Sequence, residues 1–229
     1  MRKRGVIFAI GFLALSFGVG YPEKSPRELT ICCAGDSLMR PLPHHFRGLL
    51  QTLAGNVVIN DWSRGGLSTR TYISFFRKHF RSRTQLSADF ILLQLGTNDV
   101  ASLHSGELTL EQFVQNLKTI IWEFKSINKG ANFPAKVLLA NIPPLYTPEY
   151  EVLNGYIRDT LNPAIKRTAE EEGVFLVDNW HALEDKRHLY DSDGVHPNAQ
   201  GESVLAQNWV RFIRRASRSS KSLLAAVLF

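Results

Sequence analysis

Five short apolar runs, separated by longer stretches of helical period, constrain the fold of this chain more than any other feature. Leu29 to Ala34, Val57 to Ile59, Phe90 to Leu95, Val137 to Ala140 and Val174 to Val177 have the length and make-up of strands buried on both faces. After the first run, Phe46, Leu49, Leu50 and Leu53 recur at helical spacing until Gly55, and a second helix is expected through about Tyr72 to Phe80. Thr109-Leu110-Glu111-Gln112 reads as a capping box. Leu110, Phe113, Val114, Leu117, Ile120, Ile121, Phe124 and Ile127 then keep one apolar face, so a long helix should start there and pack on a sheet. Another helical stretch opens at Thr147 and Pro148, is interrupted at Pro163 and resumes towards Glu172. The last carries Val204, Leu205, Trp209 and Phe212, with Asn198 as its expected cap. Strands alternating with helices require a parallel sheet with right-handed crossovers and helices on both faces. The expectation is one three-layer α/β/α domain over 29–216.

The chemistry sits where the runs stop. The first breaks at Gly35-Asp36-Ser37-Leu38, which places Ser37 at the carboxyl edge of the sheet, where open α/β folds bind ligands. An isolated serine at such a break is more often a capping residue of the next helix. Far along the chain, Asp193-Gly194-Val195-His196 sets a carboxylate three residues before a histidine, and a turn can bring the two side chains together. A serine hydroxyl is a weak nucleophile until a base takes its proton, and histidine serves best when a carboxylate fixes its tautomer. Ser37, Asp193 and His196 are therefore the candidate catalytic triad. Gly96-Thr97-Asn98-Asp99 follows the third run, so Asn98 should reach the same edge as an amide donor to an oxyanion.

Together and in this order, GDSL at 35 to 38, GTND at 96 to 99 and DGVH at 193 to 196 resemble the blocks of the SGNH hydrolases, also called GDSL esterases and lipases. The resemblance spans roughly Leu29 to Arg215. It implies a flavodoxin-like sheet of five parallel strands ordered 2-1-3-4-5, with Ser37 as nucleophile, His196 as base and Asp193 as its orienting acid. It also implies an oxyanion hole formed by the Ser37 N–H, the Asn98 amide and a glycine N–H from the block Asn60 to Thr69. Gly66, two residues before Ser68, fits that role best, with Gly65 as the substitute. No cofactor and no metal is implied. The chain lacks the G-x-S-x-G and G-x-G-x-x-G patterns, which argues against α/β-hydrolase and dinucleotide-binding alternatives.

The net charge of +6 does not point to nucleic acid. Arg2, Lys3, Arg4, Arg211, Arg214, Arg215, Arg218 and Lys221 cluster at the two ends, and without them the balance is about −2. The basic cluster from Arg77 to Arg83 reads as a solvated helix face. Cys32 and Cys33 fall in the first run and should face opposite sides of the sheet as small buried residues. His44 and His45 read as surface residues rather than ligands. Met1 to Arg4, followed by the uncharged stretch to Gly20, has the layout of a secretory signal or an N-terminal anchor. Residues 21–28 form a link, and 217–229 a flexible basic and apolar tail with weak membrane affinity. The expected protein is an exported monomeric serine esterase. Its expected substrates are short-acyl, O-acetyl esters of envelope or extracellular carbohydrate. The alternatives are a lysophospholipase or thioesterase, and an O-acyltransferase using the same triad.

Overall fold

In a computed structural model, which describes residues 28–80, 87–127 and 135–227, five parallel strands form one sheet. They are β1 (Glu28–Gly35), β2 (Asn56–Ser63), β3 (Phe90–Gln94), β4 (Lys136–Ala140) and β5 (Phe175–Val177), in the order β2-β1-β3-β4-β5. The order is the expected 2-1-3-4-5. The leader over 1–20 lies outside the described residues, as does the link except for Glu28, which opens β1.

The helices are α1 (Leu42–Leu50), α2 (Thr69–Phe80), α3 (Val100–Ser105), α4 (Leu110–Ile127), α5 (Pro148–Tyr156), α6 (Asn162–Glu171), α7 (Asn179–Leu183) and α8 (Ala199–Val227). Alternation along the strands divides the core in two. Cys32, Ala34, Ile91, Leu93, Val137 and Leu139 face the layer that includes α2, α4, α5 and α6, whereas Ile31, Cys33, Leu92, Leu138, Ala140 and Val177 face α1 and α8. The adjacent cysteines thus belong to opposite faces, both free and fully buried. The capping box closes as expected: Thr109 Oγ1 accepts the Gln112 N–H at 3.2 Å, and Gln112 Oε1 accepts the Thr109 N–H at 3.0 Å. Asn198 caps α8 through its Oδ1, which accepts the N–H groups of Gln200 and Gly201.

Several elements differ from the sequence expectation. The stretch from Trp180 to Asp191, expected as a loop, contains most of α7 and a 3-10 turn at Arg187–Leu189. α3 follows directly on the Gly96 to Asp99 block. Pro163 does not break the helical path, because a π-turn at Ile157–Leu161 carries α5 into α6. α8 continues to Val227 where a flexible tail was expected from 217: Ala216 is fully buried, Ser217 Oγ bonds back to the Ile213 carbonyl at 2.8 Å, and neither Gly nor Pro interrupts the path.

Candidate active site

The carboxyl ends of β1, β2 and β3 present the three blocks side by side. Gly35 is required by close approach: a Cβ there would lie 2.2 Å from the Gln94 carbonyl oxygen, which accepts the Asp36 N–H at 3.1 Å. On the other side, the Gly35 carbonyl accepts the Arg64 N–H at 2.9 Å. Ser37 thus starts from a backbone pinned by both neighbouring strands. Its side chain is half-buried at the edge.

His196 is brought to Ser37 across a separation of 159 residues. Its Nε2 stands 2.9 Å from Ser37 Oγ, and its Nδ1 stands 2.7 Å from Asp193 Oδ2. The other oxygen of Asp193 accepts the N–H groups of Val195 at 2.9 Å and His196 at 3.0 Å. Burial works against the charge of Asp193, but the bonds from the His196 ring and from these two backbone groups outweigh it and hold the carboxyl down at about 2. An ionised Asp193 keeps the proton of His196 on Nδ1, which leaves Nε2 to accept from the serine hydroxyl.

The Asp193–His196 turn is held from behind. The Tyr146 N–H donates to the Gly194 carbonyl at 2.7 Å, Tyr190 Oη donates to the Pro144 carbonyl at 2.8 Å, and the Asp191 N–H donates to the His196 carbonyl at 2.8 Å. Pro143 and Pro144 have no N–H, so Ile142 to Tyr146 cannot continue as a paired strand. Two asparagines satisfy its backbone instead. Asn162 bonds both the N–H and the carbonyl of Ile142 at 2.9 Å, and Asn154 does the same for Leu145 at 2.8 and 2.5 Å. Ile142 and Leu145 are buried rather than open to the site. The loop therefore braces the Asp193–His196 turn, and its buried Ile142 and Leu145 do not line an apolar groove.

Asn98 is exposed, and one of its amide hydrogens donates to the Leu67 carbonyl at 3.1 Å. The other remains for a further acceptor. The same two blocks are joined by Asp99, whose carboxylate accepts the Thr69 N–H at 2.9 and 3.1 Å and the Thr69 hydroxyl at 2.7 Å at the start of α2. Between the two glycines, a Cβ on Gly65 would lie 3.7 Å from Ser37 Cβ, while Gly66 faces open space with φ +78. The peptide that carries the Gly66 N–H therefore begins at the residue packed beside Ser37. Arg40 is exposed, and Trp62 is partly buried against the core.

Two features were not singled out in the sequence. Asp36 is fully buried, and its Oδ1 accepts the Leu38 N–H at 3.0 Å. Burial pushes its carboxyl up to about 7; the Leu38 N–H opposes that rise and the nearby Asp99 adds to it. A buried amide network also joins β3, β4, α7 and α8: Asn179 Nδ2 donates to Gln94 Oε1 at 2.7 Å, Asn141 Oδ1 accepts the N–H groups of Asn179 and Trp180, and Asn208 donates to Asn179 Oδ1. Isolated Asn, Gln and Asp residues carry no periodic signal, although the proximity of Asp36 to Ser37 within one block marked its position.

A parallel 2-1-3-4-5 sheet with a serine, a histidine and a carboxylate in hydrogen-bond contact at its carboxyl edge is the arrangement of a class, that of the flavodoxin-like SGNH hydrolases. Residues 25–204 match the GDSL-like Lipase/Acylhydrolase family, and the chain belongs to it, a family of carboxylic ester hydrolases. Among its relatives, an acetylxylan esterase of Xylanibacter ruminicola is 26% identical over 209 residues, covering 81% of this chain and 43% of the relative. A multidomain esterase of Ruminococcus flavefaciens is 29% identical over 137 residues, covering 58% of this chain and 16% of the relative. The chain thus spans less than half the length of these curated relatives. Among solved structures, the acetylxylan esterase Axe2 of Geobacillus stearothermophilus shares the fold, with a TM-score of 0.63 at 18% identity over 80% of this chain and 93% of that one.

Proposed function

We propose that this protein is a serine esterase that removes acetyl groups from carbohydrate through an acyl-Ser37 intermediate. The observation that carries the reading is the 2.9 Å contact between His196 Nε2 and Ser37 Oγ, with Asp193 2.7 Å from the opposite ring nitrogen. In the first half-reaction His196 takes the Ser37 proton as Oγ attacks the ester carbonyl. The oxyanion that develops is met by the Ser37 N–H, the free hydrogen of Asn98 and the Gly66 N–H. Collapse of the tetrahedral adduct breaks the bond to the sugar oxygen, which leaves with the proton held by His196. Water then enters, gives a proton to His196, and attacks the acyl carbon; collapse of the second adduct breaks the bond to Ser37 Oγ, which takes the proton back from His196 as acetate leaves.

The choice of an acetylated carbohydrate rests on the similarity to acetylxylan esterases and on the expected leader, which directs the domain towards extracellular esters. The bracing role of Ile142 to Tyr146 favours a short acyl group too, because its apolar Ile142 and Leu145 are taken up in packing. The test is kcat/KM for nitrophenyl esters from acetate to palmitate, alongside acetate release from acetylated xylo-oligosaccharides. The expected outcome is a maximum at acetate with acetate released from the glycan. A buried methylene contributes about 0.8 kcal/mol, so activity climbing steadily with chain length would replace this reading with a lipid hydrolase. Transfer of acetate to an added sugar in preference to water would replace it with an acyltransferase.

A further inference from the structure

The seam between α1 and α8 brings together three side chains whose ligating atoms converge. His44 and His45 lie in the first turn of α1, and Glu202 lies in the first turn of α8. His45 Nε2 stands 3.3 Å from Glu202 Oε2, the two imidazole rings lie against each other with centroids 3.8 Å apart and planes tilted by 38°, and one ligand atom from each residue lies within 4.8 Å of the others. Zinc–nitrogen and zinc–oxygen bonds of about 2.0 to 2.2 Å set tetrahedral ligand atoms about 3.3 Å apart. His45 and Glu202 already have that spacing. His44 is exposed, so its ring can turn towards the same point without disturbing the core. A simple ion pair would account for His45 and Glu202 but gives no role to a second imidazole whose ligand atom lies within 4.8 Å of both.

We propose that His44, His45 and Glu202 form a binding site for a divalent transition-metal ion of the zinc type, with its fourth position open to water. Neutral imidazole and carboxylate together suit that class of ion better than calcium or magnesium, which favour oxygen ligands throughout. The position gives the ion a role. α1 follows the segment that carries Ser37, and α8 follows the segment that carries His196, so an ion bound here clips together the two helices that begin next to the nucleophile and the base. The site is a clip rather than part of the reaction, and it holds whichever ester the enzyme cleaves.

The experiment is calorimetric titration of the full-length protein, first stripped with chelator, with zinc chloride. One equivalent should bind in the micromolar range, and saturating zinc should raise Tm. His44→Ala, His45→Ala and Glu202→Gln should each weaken binding about tenfold or more. His181→Ala removes the histidine that contacts Asp178 at 2.6 Å, and should leave zinc binding unchanged. Since His44 is exposed, its variant keeps the test open even if the change at Glu202 impairs folding. Three outcomes overturn the proposal: no saturable binding below about 1 mM, full-strength binding in the His44→Ala, His45→Ala double variant, or loss of binding in His181→Ala.

Discussion

Gly194 is packed directly against Tyr146: its carbonyl accepts the Tyr146 N–H at 2.7 Å, and a Cβ at position 194 would lie 2.6 Å from the Tyr146 carbonyl carbon. With φ +66 at Gly194, the backbone conformation and the space both exclude a side chain. The turn between Asp193 and His196 is thereby fixed to the loop that follows β4.

Gly194→Ala is the direct test of that brace. Strain at positive φ costs about 1 to 3 kcal/mol, and the clash with Tyr146 must be relieved by moving the turn that carries both Asp193 and His196. We expect a lower Tm together with a fall in kcat of about tenfold or more, since displacement of the reacting groups by about 1 Å can cost about a hundredfold. A variant that loses stability but keeps wild-type kcat would show that the brace serves folding alone.

For Asp193 in its proposed role as the orienting acid, Asp193→Asn should leave the fold intact while lowering kcat by about 10³ to 10⁴-fold, because an amide facing Nδ1 favours the wrong tautomer of His196. The folded pKa of Asp193 is held below its ordinary value, so its stabilising effect is present above that value and fades as pH falls towards about 2. Unfolding curves of wild type and variant should accordingly converge only in strong acid. A kcat within about tenfold of wild type would remove Asp193 from the catalytic role.

Asn98→Ala should lower kcat by about 100 to 1,000-fold with little change in KM, as expected for a donor that acts on charge present only in the transition state. The contact with the Leu67 carbonyl is lost as well, so a thermal melt should accompany the kinetics. If KM rises while kcat holds, Asn98 binds substrate instead.

Asp36 is expected to govern how stability changes between acid and neutral pH. Its folded pKa of about 7 lies above its ordinary value of 3.8, so across that window the native state binds more protons than the unfolded chain. Stability therefore falls as pH rises, by up to about 4 kcal/mol from this group. Asn at this position can still accept the Leu38 N–H without ionising. Denaturant unfolding at pH 4, 6 and 8 should show Asp36→Asn gaining on wild type as pH increases. A difference that does not vary with pH would mean that Asp36 stays ionised throughout.

What the sequence determined on its own was whatever is written locally. Short continuous apolar runs located the strands, and period-3.6 hydrophobicity located most helices. The breaks at Gly35 and Gly96 put Ser37 and Asn98 at one sheet edge, and the spacing from Asp193 to His196 let those two side chains meet through their own turn. Boundaries were less legible: β2 runs to Ser63 rather than Ile59, and α8 to Val227, because pairing with a neighbouring strand and packing of Ala216 extend elements beyond their apolar signal. Only the tertiary structure decided the contacts between distant segments. These include the meeting of His196 with Ser37, the bracing of Gly194 by Tyr146, the support of Ile142 and Leu145 by Asn162 and Asn154, and the convergence of His44 and His45 on Glu202. Each is one polar or steric contact between separate elements of the fold, and it recurs with no period. Its partner is set by how the layers pack around the sheet.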